Sequence, residues 1–205
     1  MLRLTQDRVP LPRLTRAVLR AAGWGGGVSM LRLWRAGEPL LMRMWRVRAV
    51  REGSILQYGI SPFRGPSTVL ADGTPVPHGA RILHLHLDNR RVELALEESN
   101  GNLWALGPRL DADLDNLARD VGSGRVGSVA AVRGVTVLAT MAARFGFEVR
   151  PLPRNLRWRL IQSLAGLVIA SYHAAGRAEV RRGVAWPGEI WMSARALRAR
   201  VEGEP

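Results

Sequence analysis

The sequence predicts an α+β fold, and three features predict it. Between Ser54 and Leu96 the punctuation is that of short strands separated by turns. Beyond it, leucines recur at helical spacing, and a strand–helix–strand pattern occupies 129–151. Strands grouped early with helices later give α+β rather than a regular alternation. The expected architecture is a small β-sheet from the 54–90 region and a β-α-β unit at 129–151, packed by helices in the C-terminal third.

Taken in order, "SILQYGISPF" reads as a strand, "RGPS" as a turn and "STVL" as a short strand. "ADGT" follows as a turn centred on Asp72-Gly73, and "RILHLHL" as a strand with Leu83, Leu85 and Leu87 facing the core. In "RLDADLDNLARDV" the residues Leu110, Leu114, Leu117 and Val121 form a helical stripe, with acids toward its N-terminal end where the macrodipole favours them. "GSGRVGS" breaks that helix. "VAAVRGVTVL" begins as a strand and passes by Thr136 into a helix through "TVLATMAARF", which Gly146 closes. "FEVRPLP" is a short strand ended by Pro151 and Pro153. The stretch 154–176 predicts a helix with Leu156, Leu160, Leu164, Leu167 and Val168 on one face. In the tail, Ser193 fits an N-cap before a short Arg-rich helix.

Length allows one domain, 30–205, preceded by an extension over 1–29. That extension ends in "AAGWGGGVS", whose glycine codons are purine-rich just upstream of Met30, so a start at Met30 is expected. N-terminal sequencing of natively expressed protein checks this; a mature chain beginning at residue 1 or 2 would exclude it.

The chain carries a net charge of +13, and all 30 of its basic residues are arginine. Absence of lysine points to GC-rich codon usage, which weakens any case for guanidinium chemistry from composition alone. The charge is uneven: residues 1–51 hold eleven arginines against Asp7 and Glu38, and 122–183 hold ten against Glu148 and Glu179. Such blocks suit a nucleic acid or an anionic membrane surface if they meet in space. Cysteine is absent, which excludes disulfides, zinc–thiolate sites and a thiol nucleophile. The longest apolar run, 160–170, is too short for a bilayer, and the arginines of 1–29 leave no secretory core.

"ARILHLHLDNRR" carries the densest chemistry. His84 and His86 share one strand face, but no third ligand accompanies them, so no metal and no cofactor is expected. His86 with Asp88 could form an imidazole–carboxylate pair, with Arg64 or Asn89 orienting a substrate. The structural alternative gives His86 and Asn89 to backbone hydrogen bonds at the strand exit. "RDVGSG" at 119–124 fits the pyrophosphate loop of GNAT-like acyltransferases, yet it follows a helix where that fold has a strand. Arg157 and Trp158 in "RNLRWRL" could hold an amphipathic helix on an anionic membrane.

Six segments in order carry a family resemblance: "MLRLWRAGEPLL" around Trp34, "FRG" at 63–65, "LADGT" at 70–74, "LHLDN" at 85–89, "VRGVTVLATMAARFGFEV" at 132–149 and "WMSARAL" at 191–197. Together they resemble the YkoP-like domain, a bacterial family of unestablished activity that also occurs attached to polysaccharide deacetylase domains. His86 and Asn89 fall where the family carries His and Asn, Asp72-Gly73 match its turn, and Arg64 its basic residue before glycine. His84 has no counterpart. The resemblance implies only an envelope-polysaccharide context; the reading taken with it is an accessory factor without a catalytic motif, cytoplasmic or peripheral at the inner membrane, with an enzymatic role left open. Candidate positions are then His86, Asn89 and Arg64 for catalysis, and Asp72, Asp88, Arg157 and Trp158 for ligand binding.

Overall fold

The structure, a computed structural model, describes residues 8–9, 46–100, 102–155 and 184–202. The segment around Trp34 and the helix expected over 154–176, with Arg157 and Trp158, lie outside the described residues.

A six-stranded mixed sheet organises the described chain. Its strands are β2 (Arg48–Ala49), β3 (Leu56–Pro62), β6 (Arg81–Leu87), β7 (Ala131–Thr136), β10 (Gly188–Ser193) and β8 (Glu148–Pro151), in that spatial order. Only β6 and β7 run parallel; the other neighbours are antiparallel. Two ribbons stand apart from it, β4 (Thr68–Val69) with β5 (Pro75–Val76), and β1 (Arg8–Val9) with β9 (Val184–Ala185).

The parallel β6–β7 pair needs a crossover. It is built from α1 (Asn89–Glu98), a 3-10 turn over Leu103–Leu106, and α2 (Gly107–Gly122). α2 starts with proline in its first turn, where no amide partner is lost. Two shorter helices follow, α3 (Ala139–Arg144) and α4 (Ala194–Glu202).

Alternation along the strands separates two faces. Tyr58, Leu83, Val132, Ile190 and Met192 pack against Leu114, Leu117 and Val121 of α2, and against Leu197 of α4. The predicted stripe of α2 is thus the side that meets the sheet. A second cluster joins Ala95 and Leu96 of α1 to Leu106 and Leu110. On the opposite face, the β4–β5 hairpin covers one end with Phe63, Leu70 and Val76 over Ile82, Ala131 and Trp191. Phe63 meets Trp191 edge-on, with ring centroids 5.3 Å apart.

Three expectations change. The early sheet and the 129–151 unit are one sheet, and β7 and β8 are not neighbours because β10 lies between them, pairing with both. The residues "GEIWMS" that form β10 are covered on both faces, with Ile190, Trp191 and Met192 in succession, so they carry no alternation that marks a strand. The helix expected from Thr136 is confined to Ala139–Arg144, because Thr136 still pairs with Gly188. The residues after His86 are not a strand exit into a loop: Asp88 caps the unpredicted helix α1. Its signal was present, an Asp before Val92, Ala95 and Leu96 at helical spacing.

Candidate functional site

β6 places Ile82, His84 and His86 on the face opposite the helices. Register sets Gly59 beside His84 and Gln57 beside His86 on β3, and Arg133 beside His84 on β7. Across the next strand Arg133 stands opposite Trp191, and Glu189 opposite Val135. The result is a polar row across the middle of the sheet, beginning where the hairpin's apolar cover ends.

Arg133 is the hub of that row. Its Nε donates to Glu189 Oε1 at 2.6 Å, while its guanidinium lies 5.4 Å from the Trp191 ring and 5.8 Å from Phe63. Trp191 is 1% exposed, and its indole Nε1 has no hydrogen-bond partner among the described residues. Burial pushes the half-buried His84 down to about 4, with the Arg133 cation and His86 adding to the effect. Burial lowers His86 as well. Both rings are therefore neutral at pH 7, each able to donate through one nitrogen and accept through the other.

The other candidate residues are spread along the sheet. Asp88 Oδ1 accepts from the Arg91 amide at 3.1 Å, and Oδ2 from Gln57 Nε2 at 3.0 Å, so its carboxylate is the N-cap of α1. His86 and Asn89 are both engaged by neighbours. Arg64 is exposed beside the other end of β6, where the Phe63 amide bonds Ala80 O at 2.8 Å. Arg64 and Asn89 thus stand at opposite ends of a seven-residue strand, roughly 20 Å apart, and do not converge on His86.

Asp72 belongs to the turn of the β4–β5 hairpin. Gly73 there has φ 81°, a left-handed conformation that favours glycine. Asp72 Oδ1 accepts from the Thr74 amide at 3.0 Å, and Oδ2 from Ser193 Oγ at 2.5 Å. The Ser193 hydrogen bond, aided by Thr74 and the Arg195 cation, holds the carboxyl at about 2. "FRG" has a packing reason too: a Cβ on Gly65 would stand 2.5 Å from the Phe63 ring. Arg150 fastens the hairpin from β8, donating to Thr68 Oγ1 at 2.7 Å, Val69 O at 2.6 Å and Glu148 Oε1 at 2.7 Å.

"RDVGSG" is the C-terminal end of α2. The Ser123 amide bonds Arg119 O, Gly124 bonds Val121 O, and Gly127 bonds Gly124 O, so these donors serve the turn itself. Among the described residues no cluster of three His, Asp or Glu is placed to hold a metal ion, and no helix is long and apolar enough to cross a membrane.

A family model described as YkoP domain matches residues 28–201. The chain belongs to the YkoP domain family. No curated protein and no solved structure matches it. Within this YkoP domain three of the resemblance segments meet in space: "FRG" and "LADGT" form the hairpin cover, and "WMSARAL" supplies Trp191, Ser193 and Arg195 beneath and beside it. Sequence reading missed Arg133 and Glu189, whose pairing across β7 and β10 spans 56 residues.

Proposed function

We propose that this YkoP domain is a non-catalytic accessory factor in bacterial envelope polysaccharide metabolism, with 30–205 as the working unit. It would act in the cytoplasm or peripherally at the inner membrane. The observation that carries this is the polar row itself: His84 is held neutral beside His86 and the Arg133–Glu189 pair. Neutral imidazoles, like hydroxyls, both donate and accept, which suits a hydroxyl-rich, uncharged chain. Carboxylates near the row support binding over acid–base work, since Glu189 is tied to Arg133 and Asp88 caps α1. The association with polysaccharide deacetylase domains that the resemblance implies would supply the envelope context.

Titration of the full chain with an N-acetylated hexose oligomer, followed by amide NMR, tests it. Shifts confined to β6, β7 and β10 and lost in His84→Ala are expected; no shift at millimolar oligomer overturns the reading. His86→Ala separates the catalytic alternative. An enzyme would lose activity with its melting temperature unchanged, whereas a structural His86 lowers the melting temperature.

A second reading, a basic module for nucleic acid or an anionic membrane surface, is favoured by the gathering of arginines at the β2–β3 edge. Retention on DNA and on anionic liposomes, falling steeply with salt, would support it.

A further inference from the structure

At the sheet edge, on the side that carries the helices, a groove of about 450 Å³ is lined by Arg46, Arg48, Ile60, Ser61, Pro62 and Arg81. Its size lies within the range of about 300–1,000 Å³ typical of small-ligand sites. Its construction follows from register. Arg48 pairs with Tyr58, and Pro62 pairs with Arg81 on the far side of β3. Arg46, a turn residue just before β2, lines the same groove, so arginines from both sides of β3 can converge on one guest.

Among the described residues, the charge of this groove is only partly compensated. All three arginines are exposed. Nearby, Asp120 is hydrogen-bonded to Arg51 at 2.6 Å and to Arg125 at 2.6 Å, and it reaches the groove only as a longer-range attraction on Arg48. Among the described residues, no carboxylate forms an ion pair with Arg46, Arg48 or Arg81. Arg48 instead lies 4.8 Å over the Tyr58 ring, which fixes its stem without cancelling its charge. Arg46 has φ 52°, a left-handed backbone that costs a β-carbon residue about 1 kcal/mol or more and sets where its side chain emerges. Three guanidinium forks around one groove, with no carboxylate among the described residues in ion-pair contact with them, are the chemistry of phosphoryl recognition.

We propose that this edge groove is a binding site for a phosphoryl anion, a mono- or diphosphate held by Arg46, Arg48 and Arg81. The guest is either a soluble phosphate ester or the headgroup of a phosphorylated lipid; the chemistry is the same and the source is separable. The site lies across the sheet from the His84 row, so it stands or falls independently of polysaccharide binding.

Calorimetry of the full chain with pyrophosphate tests it, alongside sedimentation with phosphatidylcholine vesicles with and without phosphatidic acid. Exothermic pyrophosphate binding is expected, weakened about tenfold in Arg46→Gln and in Arg81→Gln. Arg90→Gln and Arg198→Gln, which remove the same charge from exposed helical positions, should bind as the parent does. Vesicle retention that needs phosphatidic acid and is lost in Arg81→Gln assigns a lipid headgroup; pyrophosphate heat without retention assigns a soluble guest. Should Arg48→Gln melt early through loss of the Tyr58 contact, the Arg46 and Arg81 variants carry the test alone. Absence of both heat and retention overturns the site, as does binding unchanged by the Arg46 and Arg81 substitutions. DNA retention without pyrophosphate heat overturns it in favour of nucleic acid.

Discussion

Ser193 Oγ donates a 2.5 Å hydrogen bond to Asp72 Oδ2 and accepts one of 2.9 Å from the Ala196 amide. One hydroxyl thus caps α4 and clamps a hairpin turn 121 residues earlier in the chain. Ser193→Ala removes both contacts and should cost roughly 1–3 kcal/mol. For a domain of this size that is a fall of roughly 2–12 °C in melting temperature, read by differential scanning calorimetry.

The same pair sets an acid limb. Asp72 is lowered from 3.8 to about 2, so its folded pKa is depressed. Its contribution is complete above the ordinary carboxylate value and is lost as pH falls from about 4 to about 2. Asp72→Asn should flatten that part of the stability profile. Parallel profiles for parent and variant across this window would assign the acid sensitivity to other carboxylates.

His84 acts in a different window. Its folded pKa, about 4, lies below the ordinary 6.5 because the buried ring resists charge. A proton therefore favours the unfolded chain, and stability falls as pH drops from 6.5 toward 4, then levels off. His84→Gln should reduce this loss, leaving the part that the partly buried His86 ring contributes. Solvent screening of a partly exposed ring keeps the effect to about 1–2 kcal/mol, measurable as urea midpoints at neutral and mildly acidic pH.

Gly65→Ala forces a methyl to within 2.5 Å of the Phe63 ring, which is itself pinned against Trp191. Displacing that ring should cost about 1–3 kcal/mol. Gly107→Ala meets nothing within 4 Å and should leave the melting temperature nearly unchanged. Equal melting temperatures for the two variants would show that the hairpin cover can shift freely.

Asp120 is 3% exposed at its side chain and binds Arg51 in two places, at 2.6 and 2.8 Å. Asp120→Asn leaves a buried amide facing two cations and should destabilise by roughly 1–3 kcal/mol. Arg125→Ala should fall within about 0.5 kcal/mol of the parent, since that arginine is mostly solvated. Chemical denaturation of both variants separates the two ion pairs.

Strand β6 was legible because Leu83, Leu85 and Leu87 alternate with polar residues, and α2 because its stripe repeats every three or four residues. The turn at Asp72-Gly73 and the cap at Ser193 were legible for a related reason: each depends on the chemistry of a few adjacent residues. Within the candidate site, the two histidines could be placed on one face by counting alone. Arg133 and Glu189 could not, because nothing near either residue in sequence marks the other. Asp88 was seen as a possible partner for His86, and its place as the cap of α1 follows from backbone geometry that the helix start imposes.

Periodicity assigns side chains to faces, and that much of this protein is written locally: the α+β class, most strand positions and the family motifs. Strand order is not local. Any strand edge offers the same unpaired amides and carbonyls, so only the global packing of Ile190 and Met192 under the helices, and of Trp191 under the hairpin, places β10 between β7 and β8. That insertion creates the Arg133–Glu189 pair, and the pairing of β2 and β6 on either side of β3 gathers Arg46, Arg48 and Arg81 into one groove. Composition had supplied the arginines; long-range pairing decided which of them face a common guest.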